Sequence, residues 1–405
     1  MIGQTDTALE EPIPVPEVPA QPAGSPGEWI RRNLFDSWYN AVLTVAFVTL
    51  LGWLALEAIR FVFVTARWEI IRVNLTNLTL GVFPRDELYR VWIAVFVLAA
   101  AVGLATGAAR RRGWNALRAA VPLLLPAVVL LAFARTSTPL LLTLAALASG
   151  GGGWLIGRRL PDTAARRLPL VWIVAIVGSY AALTAFGGVG WDQWGGLLLT
   201  LFLAFGGIVL SFPLGVLLAL GRRSNLPAVR VFCVAYIEFV RGVPLITILL
   251  MGAALGFFFP PQLQKPSLVT RALVALTAFT AAYLAEIVRG GLQGVPKGQI
   301  EAAQAIGLSP PRITLLIVLP QALRSVIPAI VGQFISLFKD TSLVAILGLT
   351  DLLGIAQAVN LQPQFLGQNL QAETLVFACF IYWAFCYSMS RASQRLERRL
   401  GVGER

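Results

Sequence analysis

Side chains that commonly perform acid–base or metal chemistry are scarce in this sequence. It contains no histidine, so the commonest proton-transfer group and metal ligand is missing. The three cysteines are scattered and fit neither a disulfide framework nor a zinc site: Cys233, Cys379 and Cys386. The three lysines are Lys265, Lys297 and Lys339. None directly follows a glycine, as a Walker A loop requires. We therefore expect no catalytic residue, no metal site, no cofactor and no ATP site.

Polar residues and helix breakers concentrate in one stretch, residues 289–324. Pro296 can open a short helix, and Gln299 to Ile306 can form about two turns with a small apolar face. Gly307 then ends the helix, and two prolines at positions 310 and 311 reset the chain direction before an apolar helix continues to Pro320. The pattern predicts a short surface helix near 296–309 that fits a groove of a partner protein.

The elements that position this stretch are apolar. Of the 405 residues, 57% are hydrophobic and 13% are charged, and the mean hydropathy is +0.75. Such a chain is an all-α polytopic membrane protein rather than a set of soluble domains. About ten runs are long enough to span a bilayer, near 40–65, 90–108, 119–134, 138–157, 168–187, 195–221, 232–259, 270–289, 318–339 and 373–390.

Residues 1–28 differ in kind, since they are rich in proline and acidic residues and lack a basic stretch leading into an apolar run. They are expected to be a disordered tail, not a signal peptide. Arginines cluster in alternate loops, which places those loops and both termini in the cytoplasm. The loop 66–90 is also basic although this alternation puts it outside. The net charge of +12 is accounted for by these loops beside anionic lipid, so no nucleic-acid partner is expected.

Ionisable residues are sparse inside the spans. Glu57 lies in the first span and Glu286 near the inner end of the eighth, and no span carries a run of charges. An ion-gradient-driven secondary transporter would need mid-span carboxylates or inverted repeats, which the sequence does not display. That transporter class remains the alternative function, and a purely structural membrane subunit is a third that leaves the 301–320 segment unexplained.

Three ordered motifs carry a family resemblance. Glu301-Ala302-Ala303 followed by Gly307 and Leu319-Pro320 resembles the signature loop of ABC importer permeases, and Gln321-Ala322-Leu323-Arg324 resembles its polar amino-acid branch. The runs Glu238 to Pro244 and Lys339 to Leu343 match in the expected order. The resemblance covers about residues 195–398. The extra spans before it resemble the layout of long M-type subunits of general L-amino-acid importers.

This resemblance implies a division of the chain and a set of partners. Residues 191–400, with five spans, would form a type I ABC importer core, and residues 29–190 an N-terminal extension of about five spans. The expected partners are an ATP-binding cassette ATPase dimer, a second similar permease, a periplasmic binding protein, an amino acid and the lipid bilayer of a bacterial inner membrane. ATP hydrolysis would occur in the partner subunit.

The resemblance also implies roles for individual residues. Residues that would dock the ATPase are Glu301, Ala302, Ala303, Ile306 and Gly307. Residues with gating or structural roles would be Glu238, Arg241, Gly242, Pro244, Pro320, Lys339 and Asp340.

For some of these residues, a purely structural role is the alternative. Glu301 could instead be a first-turn carboxylate that stabilises its own helix, and Gly307 a helix cap. Glu238 and Arg241 could form a local pair or hold a moving helix break. Asp340 beside Lys339 could be a juxtamembrane pair or part of the outer mouth.

Overall fold

The computed structural model describes residues 25–110, 137–161, 167–258 and 266–401, and the described chain is almost entirely helical. It divides into two compact units between Ala66 and Arg67. The first unit contains helices α1 (Pro26–Leu34) and α2 (Trp38–Arg60), which ends in a wide π turn. Ser25 and Glu28 form a capping box that starts α1, because each side chain accepts a backbone N–H from the other residue.

Besides short 3-10 and π helices, the second unit contains fourteen α-helices among the described residues. They are α3 (Glu69–Leu80), α4 (Leu88–Arg110), α5 (Ser137–Arg159), α6 (Leu168–Thr184), α7 (Gly196–Arg222), α8 (Pro227–Gly242), α9 (Leu245–Ala254), α10 (Leu268–Gln293), α11 (Lys297–Ala305), α12 (Pro310–Ile313), α13 (Leu319–Ser325), α14 (Ile327–Asp340), α15 (Leu352–Ala358) and α16 (Gln371–Leu400).

Seven helices in the described ranges are long and apolar enough to cross a membrane, or eight if α8 and α9 form one broken span. The shorter apolar helix Leu170–Thr184 coincides with the predicted span 168–187. The predicted span 119–134 lies outside the described residues. The all-helical, multi-pass architecture is confirmed, and about ten spans agrees with these helices.

Two predicted spans have different boundaries from those expected. The run 232–259 bends by 109° between α8 and α9, because Val243 is extended and Pro244 has no backbone N–H to continue the helix. The run 318–339 breaks at Val326, and the span-forming helix is Ile327–Leu347. Before Pro320, the chain widens into a π turn, Thr314–Val318, where a proline again removes a helical donor.

Helices α4 and α5 pack at backbone distance through glycines. A Cβ on Gly153 would lie 2.3 Å from the carbonyl oxygen of Ala100, and one on Gly103 would meet Gly150. Glycines at 151 and 152, by contrast, face open space. The glycine run in this span therefore serves helix packing, as small residues do between membrane helices.

Candidate functional site

The predicted surface helix is α11, and its ends are set by proline and glycine. Pro296 precedes the first helical residue, Lys297, and its fixed φ suits a helix start. At the other end Gly307 has a φ of +78°, the left-handed region that favours glycine. The Leu308 N–H then donates to the Ala303 carbonyl at 3.1 Å and closes the last turn. The helix is thus bounded by a proline and a glycine, and three residues separate it from the end of α10.

One side of α11 packs against the protein itself. Ala303 is 2% exposed and belongs to an apolar cluster with residues from α7, α8, α10, α12 and α13, and Ile300 packs against the same cluster. The family resemblance led us to expect that Ala303, like Ala302 and Ile306, would contact the ATPase. The helix instead turns Ala303 inward, where it holds α11 on the ends of the long helices.

The opposite side of α11 is open. Glu301, Ala302 and Gly307 are exposed, and Ile306 is 75% exposed. Glu301 is the fifth residue of the helix, and its first turn contains no acidic residue. The alternative in which Glu301 stabilises its own first turn is therefore wrong. An exposed large apolar side chain at the end of a surface helix is typical of a protein contact.

A charge cluster joins three helices at the same end of the protein. Glu286 of α10 accepts Arg222 Nη1 of α7 at 2.8 Å and Arg289 Nη2 at 2.8 Å, and lies 3.6 Å from Arg241 Nη1 of α8. Arg222 also bonds Glu238 of α8 at 2.9 Å. The Glu286 side chain is only 15% exposed, so its bonds are partly shielded from water.

Glu238 and Arg241 thus bond to neighbouring helices rather than forming the local pair that was one of the two readings. Arg241 also lies over the Tyr283 ring, 5.5 Å from its centroid. Just beyond Arg241, Gly242 and Pro244 make the 109° bend into α9. The cluster therefore fixes the helix end that immediately precedes the bend.

The remaining predicted residues are not part of this cluster. Pro320 is exposed in the first turn of α13, whose Ala322 packs in the same apolar cluster as Ala303. Lys339 and Asp340 end α14, a helix of 14 residues that separates them from α13 by about 20 Å. They occupy a different end of the core from the charge cluster.

Sequence reasoning missed the central roles of Arg222 and Glu286. The signal available was that Glu286 is an ionisable residue inside an otherwise apolar span, which usually marks a paired or functional side chain. Arg289 lies three residues further along the same helix, but Arg222 and Arg241 come from helices that are 45 or more residues away in sequence, so spacing could not identify those two partners.

Residues 211–402 match the family model described as binding-protein-dependent transport system inner membrane component. The similarity to two curated relatives extends over nearly the whole chain. The chain belongs to this family, the membrane permease subunits of ABC transporters. It is a multi-pass inner-membrane permease and not a catalytic subunit or a secondary transporter.

The two relatives are amino-acid permeases. The inner membrane amino-acid ABC transporter permease protein YhdY of Escherichia coli K12 is 36% identical, with 93% of each chain covered. The glutamate/glutamine/aspartate/asparagine transport system permease protein BztC of Rhodobacter capsulatus is 35% identical, with 98% of this chain and 97% of BztC covered. A crystal structure of an amino acid ABC transporter with histidines is 28% identical over half of this chain and 92% of its own, with a TM-score of 0.45.

Proposed function

We propose that this chain is the permease subunit of an importer of polar L-amino acids. It forms half of the translocation path and docks an ATP-binding cassette ATPase dimer through the exposed side of α11. The substrate class is supported by the names of YhdY and BztC, both amino-acid permeases, the second for glutamate, glutamine, aspartate and asparagine. The docking surface is Glu301, Ala302, Ile306 and the Gly307 turn, with Ala303 as its inward anchor.

The exposure pattern of α11 is the observation that carries this proposal. The nine-residue helix buries Ala303 and packs the partly buried Ile300 against the core, whereas Ile306, directly after its last residue, is three-quarters exposed. The helix is therefore held on one side and open on the other. Force applied to its open side passes directly to the ends of α7, α10 and α13, because these helices share its apolar cluster. A coupling helix, which transmits movement from an ATPase to the membrane spans, needs both properties.

In this arrangement the charge cluster carries movement from α11 to the bend. Glu286 links α10 to α7 and α8, so displacing α10 shifts the end of α8 next to Gly242 and Pro244. Alternating access would then involve the two sides of the 109° bend rocking against each other. Lys339 and Asp340 would face the outer mouth, where a charged substrate arrives.

The proposal includes an orientation and a set of partners. Both termini are cytoplasmic, residues 29–190 form the extension, and 191–400 form the transport core. A second, similar permease completes the path, and a periplasmic binding protein delivers the amino acid. This orientation is supported by the arginines at the ends of the predicted inner loops, including Arg158, Arg159 and Arg222.

The test compares serine substitutions at two exposed aliphatic residues of equal size. Ile306→Ser removes the apolar contact of α11, and Leu361→Ser, at a side chain 72% exposed, is the matched control outside α11. Each chain is purified with its native partners, and the ATPase retained is quantified. Losing a central apolar anchor should weaken association about tenfold in Ile306→Ser, while the control retains the wild-type amount.

ATP-driven uptake by wild-type chains in proteoliposomes identifies the substrate. Uptake of glutamate or glutamine that requires both ATP and the binding protein supports the proposal. Uptake that follows an imposed ion gradient without ATP contradicts it, as does full ATPase retention by Ile306→Ser.

A further inference from the structure

In the sequence, helix α3 falls between the first two long spans, within the basic loop 66–90. It is nevertheless part of the core of the second unit. It is 12 residues long, too short to cross a membrane, and one side is completely buried. Ile70, Ile71 and Leu78 are 0% exposed and pack in a cluster with α15, α16 and two residues of the following connection, Phe365 and Leu370. This helix therefore covers the segment between the last two spans.

We define the outer segment as residues 351–370, which join the span Ile327–Leu347 to the span Gln371–Arg398. Polar bonds tie it to α3 and to Arg67, two residues before that helix begins. Asn74, 2% exposed, accepts Gln362 Nε2 at 2.7 Å and Asn77 Nδ2 at 3.0 Å on the same oxygen. Arg67 bonds both the side chain and the carbonyl of Gln368, at 3.2 and 2.9 Å.

The same helix also touches the start of the transport core. A Cβ on Gly81, at the end of α3, would lie 2.4 Å from the Cα of Gly195, so the two backbones are in direct contact. Gly196 then donates its N–H to the Thr350 carbonyl at 2.6 Å. The end of α3, the start of α7 and the start of the outer segment consequently meet at one place through backbone contacts.

Three of the four arginines of the loop 66–90 take part in this structure. Arg67 is bonded to the outer segment, Arg85 to Asn77 and the Gly81 carbonyl, and Arg90 to Glu87 and the end of α6. Their partners within the protein explain why this loop is basic although the proposed orientation puts it outside.

We propose that α3 is a positioning element of the outer mouth: Asn74 and Arg67 hold the outer segment in place so that the arriving binding protein stimulates ATP hydrolysis. The N-terminal extension thus contributes α3 to the transport core. The proposal rests on the proposed function, because it takes the outer segment to face the binding protein.

Asn74→Ala and Gln362→Ala test the bond between α3 and the outer segment, and the double variant tests whether they act together. Thr76→Ala is the matched control, because Thr76 is exposed on the opposite side of α3. Each full chain is assembled with its ATPase and partner permease in lipid nanodiscs, and amide hydrogen exchange is measured at residues 359–370. Exchange should be about tenfold faster in each single variant.

The double variant should exchange well below a hundredfold faster than wild type, because the Asn74–Gln362 hydrogen bond is already lost in each single variant. Gln362 is only partly buried, so its variant remains informative if Asn74→Ala does not fold. Binding-protein-stimulated ATP hydrolysis should fall about tenfold with basal hydrolysis unchanged, and Thr76→Ala should match wild type in both measurements.

Unchanged exchange at residues 359–370 in Gln362→Ala would overturn the proposal, and so would faster exchange with fully retained stimulation. Absence of any stimulation in the wild-type complex speaks instead against the proposed function, so the two failures are distinguishable.

Discussion

Replacing Glu286 with glutamine removes the charge at the centre of the cluster while keeping the shape of the side chain. Three arginines then face one another around a neutral amide, at positions now 2.8, 2.8 and 3.6 Å from carboxylate oxygens. Breaking a fully buried pair costs about 3–5 kcal/mol, whereas exposed pairs contribute about 0–1 kcal/mol. Glu286 is 15% exposed and its arginines are 24–35% exposed. The intermediate burial leads us to expect a loss of about 2 kcal/mol.

Glu238→Gln is the matched control, because Glu238 is 56% exposed and bonds Arg222 from the edge of the cluster. Its cost should be about 0.5 kcal/mol or less, as for an exposed pair. The assay is equilibrium unfolding of the purified chain in mixed micelles, with ATP-driven uptake measured in parallel. Equal losses for the two variants, or no loss for Glu286→Gln, would refute the assignment of Glu286 as the link between α7, α8 and α10.

Three further predictions concern other parts of the chain. Ala303→Leu should destabilise the packing of α11 by about 1–3 kcal/mol, because Ala303 is buried in the apolar cluster and a larger side chain would overpack it. The measurement is proteolysis, which should be faster at α11 with the spans intact. Gly153→Ala should destabilise the protein by roughly 1–3 kcal/mol and lower its thermal midpoint, because the added Cβ meets the Ala100 carbonyl. Gly152→Ala is the control and should leave the midpoint unchanged, because its Cβ meets nothing within 4 Å. Coinciding melting curves for the two variants would count against close helix packing. Asp351, between two spans, is fully buried, which raises the pKa of its carboxyl from 3.8 to about 6. The folded protein therefore holds this proton more tightly than the unfolded chain, so stability falls as pH rises from about 4 to above 6; thermal melts at several pH values should display a fall that Asp351→Asn reduces.

The position of α11 followed from residues that act locally. Pro296 and Gly307 determine where a helix can begin and end whatever surrounds them, so the sequence predicted both ends to within a few residues. The residue that faces the core could not be predicted in the same way, because Ala302 and Ala303 are chemically alike. Only the core around α11 decides which of them is buried.

The pairs within the charge cluster and the contacts of α3 could not be predicted from the sequence, for a different reason. Glu286 meets Arg222 from 64 residues away, and Asn74 meets Gln362 from 288 residues away. Such pairs depend on how the long helices pack, and periodicity within one helix contains no information about that. The apolar runs themselves were predictable, because bilayer thickness fixes their length.

The most direct test of the coupling surface places a photo-crosslinking amino acid at position 306 of the full chain in its native membrane, with position 361 as the control. Illumination should join position 306 to an ATP-binding cassette subunit, whereas position 361 should yield no such product. Crosslinks from position 306 only to lipid, or the same ATPase product from both positions, would contradict a docking role for α11.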